Sequence, residues 1–308
     1  MSDHRFAWIF PGQGSQEAGM GRDLYESSPA AREVYERADA TLGRPISRLC
    51  FEGPASELTL TNNAQPAIYV TSYACFAAAR AAGAVTGTPA FVAGHSLGEY
   101  SALAAAGAFS FEDGLRLVET RGRLMQAAAD LAPGGMAALL GLDEATAAAV
   151  CAEAGAELCN INAPGQIVIG GTHAAIEQAR RLATERGAKR AITLDVAGAF
   201  HTSLMERTVE PMREAVAATA FRPPAAPFVA NDSARPLTDP AAIADELVYQ
   251  LTHPVRWVAC VEYMVAQGVT EFIEIGPGRV LTGLVKRIAP GVATKNIRGM
   301  EALEATAT

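Results

Sequence analysis

The stretch "AGHSLGEY", residues 93–100, lies between an apolar run and an alanine-rich run, and it holds a Gly-x-Ser-x-Gly with His95 directly before Ser96. The preceding "PAFVAG" reads as a short buried strand and the following "EYSALAAAGAF" as a helix, so Ser96 falls at a strand-to-helix turn. At such an elbow the serine Oγ is pushed out of the backbone surface. Gly94 and Gly98 remove side chains that would collide there, and the start of the helix offers backbone N–H groups to a developing oxyanion. The same five-residue pattern also occurs in loops where the serine only makes a tight turn, and the strand before it and helix after it are what favour a nucleophile.

Outward from the elbow, "FAWIF" (6–10) reads as a second short buried strand ending in the turn "PGQGSQ". A polar loop from Glu57 leads into a helix from about Pro66, since proline is tolerated in a first turn. Ser110 caps a helix running to about Ala129, with Glu112 and Asp113 in its first turn. After "APGG" the rhythm changes: strand 135–142, helix 143–154, two strand runs in 157–171, helix 172–187 and a strand in 188–197. That β-α-β-β-α-β order is ferredoxin-like. The chain continues with a helix after "GAFHT", the strand "PFVAN", helices near 240–251 and 254–267, the strand "EFIEI", and "GPGRVLTGLVKRI" as a turn into a helix. The pattern predicts an α/β protein: a large α/β-hydrolase-like domain with a mostly parallel sheet, residues 1–130 and 199–308, and an inserted ferredoxin-like small subdomain, 131–198. The terminal "EALEATAT" is expected to fray.

With 308 residues the chain is long enough for one large domain and a smaller lobe. Half the residues are apolar but few are aromatic, so packing must come from small aliphatic side chains. The net charge of −8 argues against general nucleic-acid binding, which needs a concentrated basic face. Five cysteines without C-x-x-C spacing point to neither a zinc site nor a disulfide framework, but to buried free thiols in a reducing compartment. "FAWIF" is too short for a signal peptide, and no apolar run approaches the ~20 residues that span a bilayer. A cytoplasmic protein without membrane contact is expected.

A serine nucleophile needs a base. Of the five histidines, His4 lies near the N-terminus and His173 opens a helix of the small lobe, so both read as surface. His95 points away from Ser96 if the two continue an extended strand end. His201, in "VAGAFHTSLM", follows a small-residue turn between a strand and a helix, where an α/β fold carries functional loops; a lone loop histidine is also an ordinary surface residue. The α/β-hydrolase order is Ser, acid, His, yet no single Asp presents itself here, which leaves a backbone carbonyl to hold the other ring nitrogen. Arg121 shares a helix face with Leu117 and Leu124, beside Val118, Gly122 and Met125. A guanidinium there must meet an anion, either in an internal salt bridge or as a clamp on a substrate carboxylate.

Eight stretches in order carry a resemblance: "FPGQGSQ" (10–16), "NNAQPAI" (62–68), "AGHSLGEY" (93–100), "TRGRLMQ" (120–126), "NAPGQIVI" (162–169), "GAFHT" (198–202), "HPVRW" (253–257) and "GPGRVLTGL" (276–284). Together they resemble the malonyl-CoA:acyl-carrier-protein transacylases, including the acyltransferase domains of polyketide synthases, over nearly the whole chain. The resemblance implies ping-pong transfer from malonyl-CoA to the phosphopantetheine thiol of an acyl carrier protein, with no cofactor and no metal. Ser96 would be the nucleophile, His201 the base, the backbone N–H groups of Gln13 and Leu97 the oxyanion hole, and Arg121 the carboxylate clamp. Gln65, His95, Asn162, Phe200, Gln250 and His253 match positions that line or support the site, Gln250 by the carbonyl that orients the histidine. Leu97 and "AFH" look like malonyl-selective variants, and a monomer is expected. Lys189, Arg190, Lys286 and Arg287 are the candidate docking cations for an acidic carrier protein or the CoA phosphates, with solvated surface as their alternative. The rivals are a hydrolase that frees acyl chains from carrier proteins, for which Arg121 has no use, and a non-catalytic docking subunit. Fatty-acid and polyketide pathways are not separated.

Overall fold

The structure, a computed structural model, describes residues 5–304; His4 lies outside them. Among the described residues ten strands form two sheets: β1 (Phe6–Phe10), β2 (Phe91–Gly94), β3 (Gly135–Leu140), β4 (Glu157–Ala163), β5 (Gln166–Gly171), β6 (Arg190–Thr193), β7 (Phe228–Val229), β8 (Pro236–Leu237), β9 (Glu271–Ile275) and β10 (Ala293–Ile297). The larger sheet has the order β10-β9-β1-β2-β7-β8 and is parallel except for the edge hairpin β7–β8. Its central strands read as unbroken apolar runs because both faces are covered. Trp8 and Phe10 of β1 enter the core on one side, while Ala7 and Ile9 enter a second core on the other. The chain leaves β1 toward β2 on one side and returns as β9 on the other, so a crevice opens beyond the carboxyl ends of β1 and β2, where α/β sheets hold their sites.

The smaller sheet has the order β4-β5-β3-β6 with every neighbouring pair antiparallel, and the helices Glu144–Ala154 and His173–Glu185 cover one face. This is the ferredoxin-like arrangement, its elements running from Gly135 to Thr193. A two-residue parallel bridge ties it to the large sheet's domain: Ile161 N–H donates to Val255 O (2.9 Å) and Val255 N–H to Cys159 O (2.8 Å). Arg256 adds an ion pair to Glu144 at 2.9 Å.

Several elements depart from the sequence reading. The helix expected from Pro66 spans Thr61–Ala81, with Pro66 inside it and Ala55–Thr59 also helical where a loop was expected. The proline forfeits only its own hydrogen bond to the preceding turn. The rest of the helix is held by packing against Phe111–Leu131, whose Gly122 lets the backbones close: a Cβ there would lie 2.9 Å from Thr61 O. Residues 22–52 form three further short helices, and β10 is a polar edge strand without the apolar alternation that would have marked it. "EALE" does not simply fray: Met300–Glu304 is helical with Leu303 buried, and residues 305–308 lie outside the described ones. All five cysteines are free and buried, and burial pushes the Cys50 thiol up to about 12. Among the described residues, no helix is long and apolar enough to cross a membrane.

Candidate active site

The elbow is built by mutual close approach. A Cβ on Gly94 would lie 1.9 Å from the Gly98 carbonyl carbon, and one on Gly98 would lie 2.1 Å from Phe10 O. β1, the end of β2 and the helix Gly98–Ala105 therefore pack backbone to backbone, and only glycine fits. Ser96 takes the left-handed conformation, φ +53°, which turns its Oγ outward. Asn231, just beyond β7, staples the turn from below: its Nδ2 donates to Gly94 O (2.7 Å) and its Oδ1 accepts the Ser96 N–H (2.6 Å).

His201, likewise at positive φ (+62°), brings Nε2 to 2.7 Å from Ser96 Oγ. Its Nδ1 meets two carbonyls, Gln250 O at 2.7 Å and His253 O at 3.2 Å. Carbonyls only accept, so Nδ1 carries the proton and Nε2 is free to take one from the serine. Burial and then the nearby Arg121 charge lower the His201 pKa to about 3, which keeps the ring neutral and basic in form.

Arg121 is 1% exposed, and its partners are neutral. Nη1 donates to Gln65 Oε1 (2.8 Å), Nη2 donates to Gln250 Oε1 (2.9 Å) and to Ser96 Oγ itself (3.0 Å), and Nε is buried without a partner among the described residues. The guanidinium also lies 5.7 Å from the Tyr100 ring centre. The internal salt bridge open to it from the sequence is replaced by two amides and the Ser96 hydroxyl, so its positive charge faces Ser96 uncancelled by direct contact among the described residues.

These groups open onto a cavity of about 350 Å³ between the two sheets' domains. Gln13, Leu97, His95, Asn162 and Phe200 line it, with Met125, Met136, Val168, Leu194, Leu281 and Leu284 as apolar wall. The backbone N–H groups of Gln13 and Leu97 carry no hydrogen bond within the protein among the described residues, and Gly12 lets the Gln13 loop sit against the elbow, since a Cβ there would lie 2.3 Å from His95 O.

A family model described as acyl transferase domain matches residues 7–299. The chain belongs to this acyl transferase family. It is similar to a malonyl CoA-acyl carrier protein transacylase of Bacillus subtilis, 46% identical over 305 residues that cover 97% of this chain and 95% of that one. Among solved structures, an acyl carrier protein S-malonyltransferase from Vibrio cholerae superposes with a TM-score of 0.94 at 41% identity, covering 98% of this chain and 99% of that chain. A malonyl-transacylase solved in complex with its type II polyketide-synthase acyl-carrier protein does so at 0.94 and 38%, covering 98% of each.

The site of this acyl transferase gathers most of the residues singled out in the sequence. Ser96, His201 and Arg121 meet at hydrogen-bond distance, and Gln250 serves twice, through its carbonyl to His201 and its side chain to Arg121. Gln65 is buried behind Arg121 and away from the cavity wall. His95 bonds Asn162 Oδ1 through Nε2 at 2.8 Å and makes no hydrogen bond to the Ser96 side chain among the described residues, its pKa lowered by burial. His253 contributes its carbonyl alone, because its imidazole stacks on Tyr249 and faces another surface groove. His173 is exposed. The four docking cations do not form one patch. Lys189 and Arg287 line a groove of about 520 Å³ at the domain junction, Arg190 is exposed on β6, and Lys286 lines a separate cavity. Arg287 is also a strut to the small subdomain, bonding Pro164 O (3.1 Å) and Gln166 Oε1. The sequence reading missed Asn160 in the cavity wall, Asn231, and Glu99 beneath the elbow. For Asn231 a signal existed: a polar side chain directly after an apolar strand lies at the carboxyl end of the sheet.

Proposed function

We propose that this acyl transferase moves a malonyl group from CoA to the phosphopantetheine thiol of an acyl carrier protein through a Ser96 acyl-enzyme. The observation that carries the reading is an Arg121 guanidinium without a carboxylate partner among the described residues, 3.0 Å from a hydroxyl that a neutral histidine already holds at 2.7 Å. His201 Nε2 takes the Ser96 proton as Oγ attacks the thioester carbonyl, and the oxyanion falls to the Gln13 and Leu97 N–H groups. The C–S bond breaks and the CoA sulfur takes the proton from His201. The carrier thiol then repeats the sequence in reverse: it gives its proton to His201, attacks the seryl ester, and the proton returns to Ser96. Arg121 pairs with the malonyl carboxylate, and that pairing weakens the positive field that, after burial, lowers the His201 pKa, so the base gains some strength as the right substrate arrives. A simple acyl chain would leave the guanidinium buried and unpaired, which disfavours an editing hydrolase.

The activities for which the relatives are named support the malonyl and carrier-protein assignments. The reaction as drawn needs neither metal nor bound cofactor, and every group in it comes from one chain, so a monomer suffices. Buried free thiols fit the reducing cytoplasm. Lys189, Arg190, Lys286 and Arg287 are proposed to meet the carrier protein or the CoA phosphates, Lys189 and Arg287 within one groove. Intact mass after mixing with a panel of acyl-CoAs tests the reading: malonyl-CoA alone should add one malonyl group, and Ser96→Ala should stay folded and unlabelled. Labelling that survives Ser96→Ala, or acetyl-CoA labelling as fast as malonyl-CoA, would refute it.

A further inference from the structure

Glu99 lies one helical turn past the nucleophile, 0% exposed and, among the described residues, without a cation in contact. A buried carboxyl in that setting calls for a reason. Its Oε1 accepts the Asn231 N–H (2.7 Å) and its Oε2 accepts Gln250 Nε2 (2.8 Å). These partners are the two residues that hold the reacting groups from behind: Asn231 pins the Ser96 N–H, and Gln250 holds Arg121.

We propose that Glu99 is a positioning residue for the carboxylate specificity of this site, acting by fixing the Gln250 amide with its oxygen toward Arg121. The proposal rests on the malonyl reading above. An amide has one accepting and one donating end, and Arg121 offers donors alone, so a reversed Gln250 would set NH2 against guanidinium N–H and strip Arg121 of a partner. Nothing at the Arg121 end can prevent that reversal except the loss itself. At the other end Glu99, meeting donors on both oxygens and no acceptor among the described residues, can only accept. Ser96 O, 3.3 Å from Gln250 Nε2, reinforces the same orientation. Burial and then the neighbouring Glu246 carboxyl raise the Glu99 pKa well above its ordinary value, against the pull of the Asn231 N–H, Arg121 and Gln250, and its two oxygens meet donors alone. A direct ion pair would occupy the fork that the substrate needs; Glu99, one amide away, leaves Nη2 at the reacting centre.

The test is Glu99→Gln, with kcat/KM measured for malonyl-CoA and acetyl-CoA alongside wild type. The introduced amide keeps the Asn231 contact through its oxygen and then presents NH2 to Gln250, which must turn its own oxygen away from Arg121. The malonyl-to-acetyl ratio should fall about tenfold to a hundredfold, the scale of losing one hydrogen bond to a charged group. An unchanged ratio in a folded variant, with both substrates falling together, would overturn the proposal and leave Glu99 as a fold residue. Should Glu99→Gln fail to fold, Glu99→Asp, which keeps a carboxyl but draws it back from Gln250, should fold and lower the same ratio; an unchanged ratio there overturns the proposal equally. A wild-type protein that does not prefer malonyl over acetyl would sink the malonyl reading itself, which separates the two failures.

Discussion

Replacing Arg121 by alanine separates malonyl transfer from general acyl transfer. The side chain is 1% exposed and makes hydrogen bonds of 2.8, 2.9 and 3.0 Å, to two amide oxygens and the nucleophile. In wild type a bound acetyl group leaves this charge buried and unpaired, whereas malonyl supplies two charge-assisted bonds. Stranding one member of a buried pair costs ~3–5 kcal/mol and ~1.4 kcal/mol is tenfold, so malonyl should be preferred over acetyl on the order of 10²–10³. In Arg121→Ala the malonyl carboxylate is the stranded charge and acetyl finds a neutral pocket, so the preference should invert. Gln65 Oε1 and Gln250 Oε1 each lose a donor, at ~1–3 kcal/mol apiece if water does not replace it, so the unfolding temperature should drop as well. The assay is kcat/KM for malonyl-, acetyl- and methylmalonyl-CoA in both proteins, after thermal melts show the variant folded. Loss of malonyl and acetyl activity in equal proportion would refute the clamp and return Arg121 to a structural role.

His201 stays neutral down to about pH 3, against 6.5 for an ordinary histidine, so kcat/KM, which reports the free enzyme, should show no inflection near pH 6.5; a titration there would contradict the neutral dyad. The same depression makes the unfolded chain bind the extra proton between those values, so this contribution to stability is complete above about 6.5 and is lost as pH falls toward 3, which urea melts across that window will read. Asn231→Ala leaves the Ser96 N–H and the Gly94 carbonyl unpaired, each at ~1–3 kcal/mol, and a stability change under ~0.5 kcal/mol would mean that the elbow holds itself. Lys189→Glu or Lys286→Glu should raise the KM for carrier protein and leave that for malonyl-CoA unchanged; equal effects on both would argue for a contact with the CoA phosphates.

The strand-turn-helix around Ser96, the βαββαβ order of the insert and the Ser110 cap were legible in the sequence because each depends on residues close together in the chain: glycines that admit a sharp turn, apolar periodicity, a hydroxyl three residues before the N–H it accepts. Pairing Ser96 with His201 and Arg121 rested on the resemblance, since from the residues alone His201 was one loop histidine among others and Arg121 had a salt bridge open to it. Only the packed sheet decided those points. Ser96, Arg121, His201 and Gln250 are separated by 25 to 154 positions, and no local pattern records which of them share a crevice. The sequence likewise left the helix at Pro66 misplaced, because packing against Gly122 outweighs one missing backbone hydrogen bond. Glu99 and Asn231 were invisible for the same reason: a carboxylate after Gly98 and an amide after "PFVA" are ordinary when taken singly. They become the support of the Ser96 turn only where parallel strands bring their carboxyl ends side by side and burial leaves their polar atoms to the elbow's backbone, Gln250 and each other.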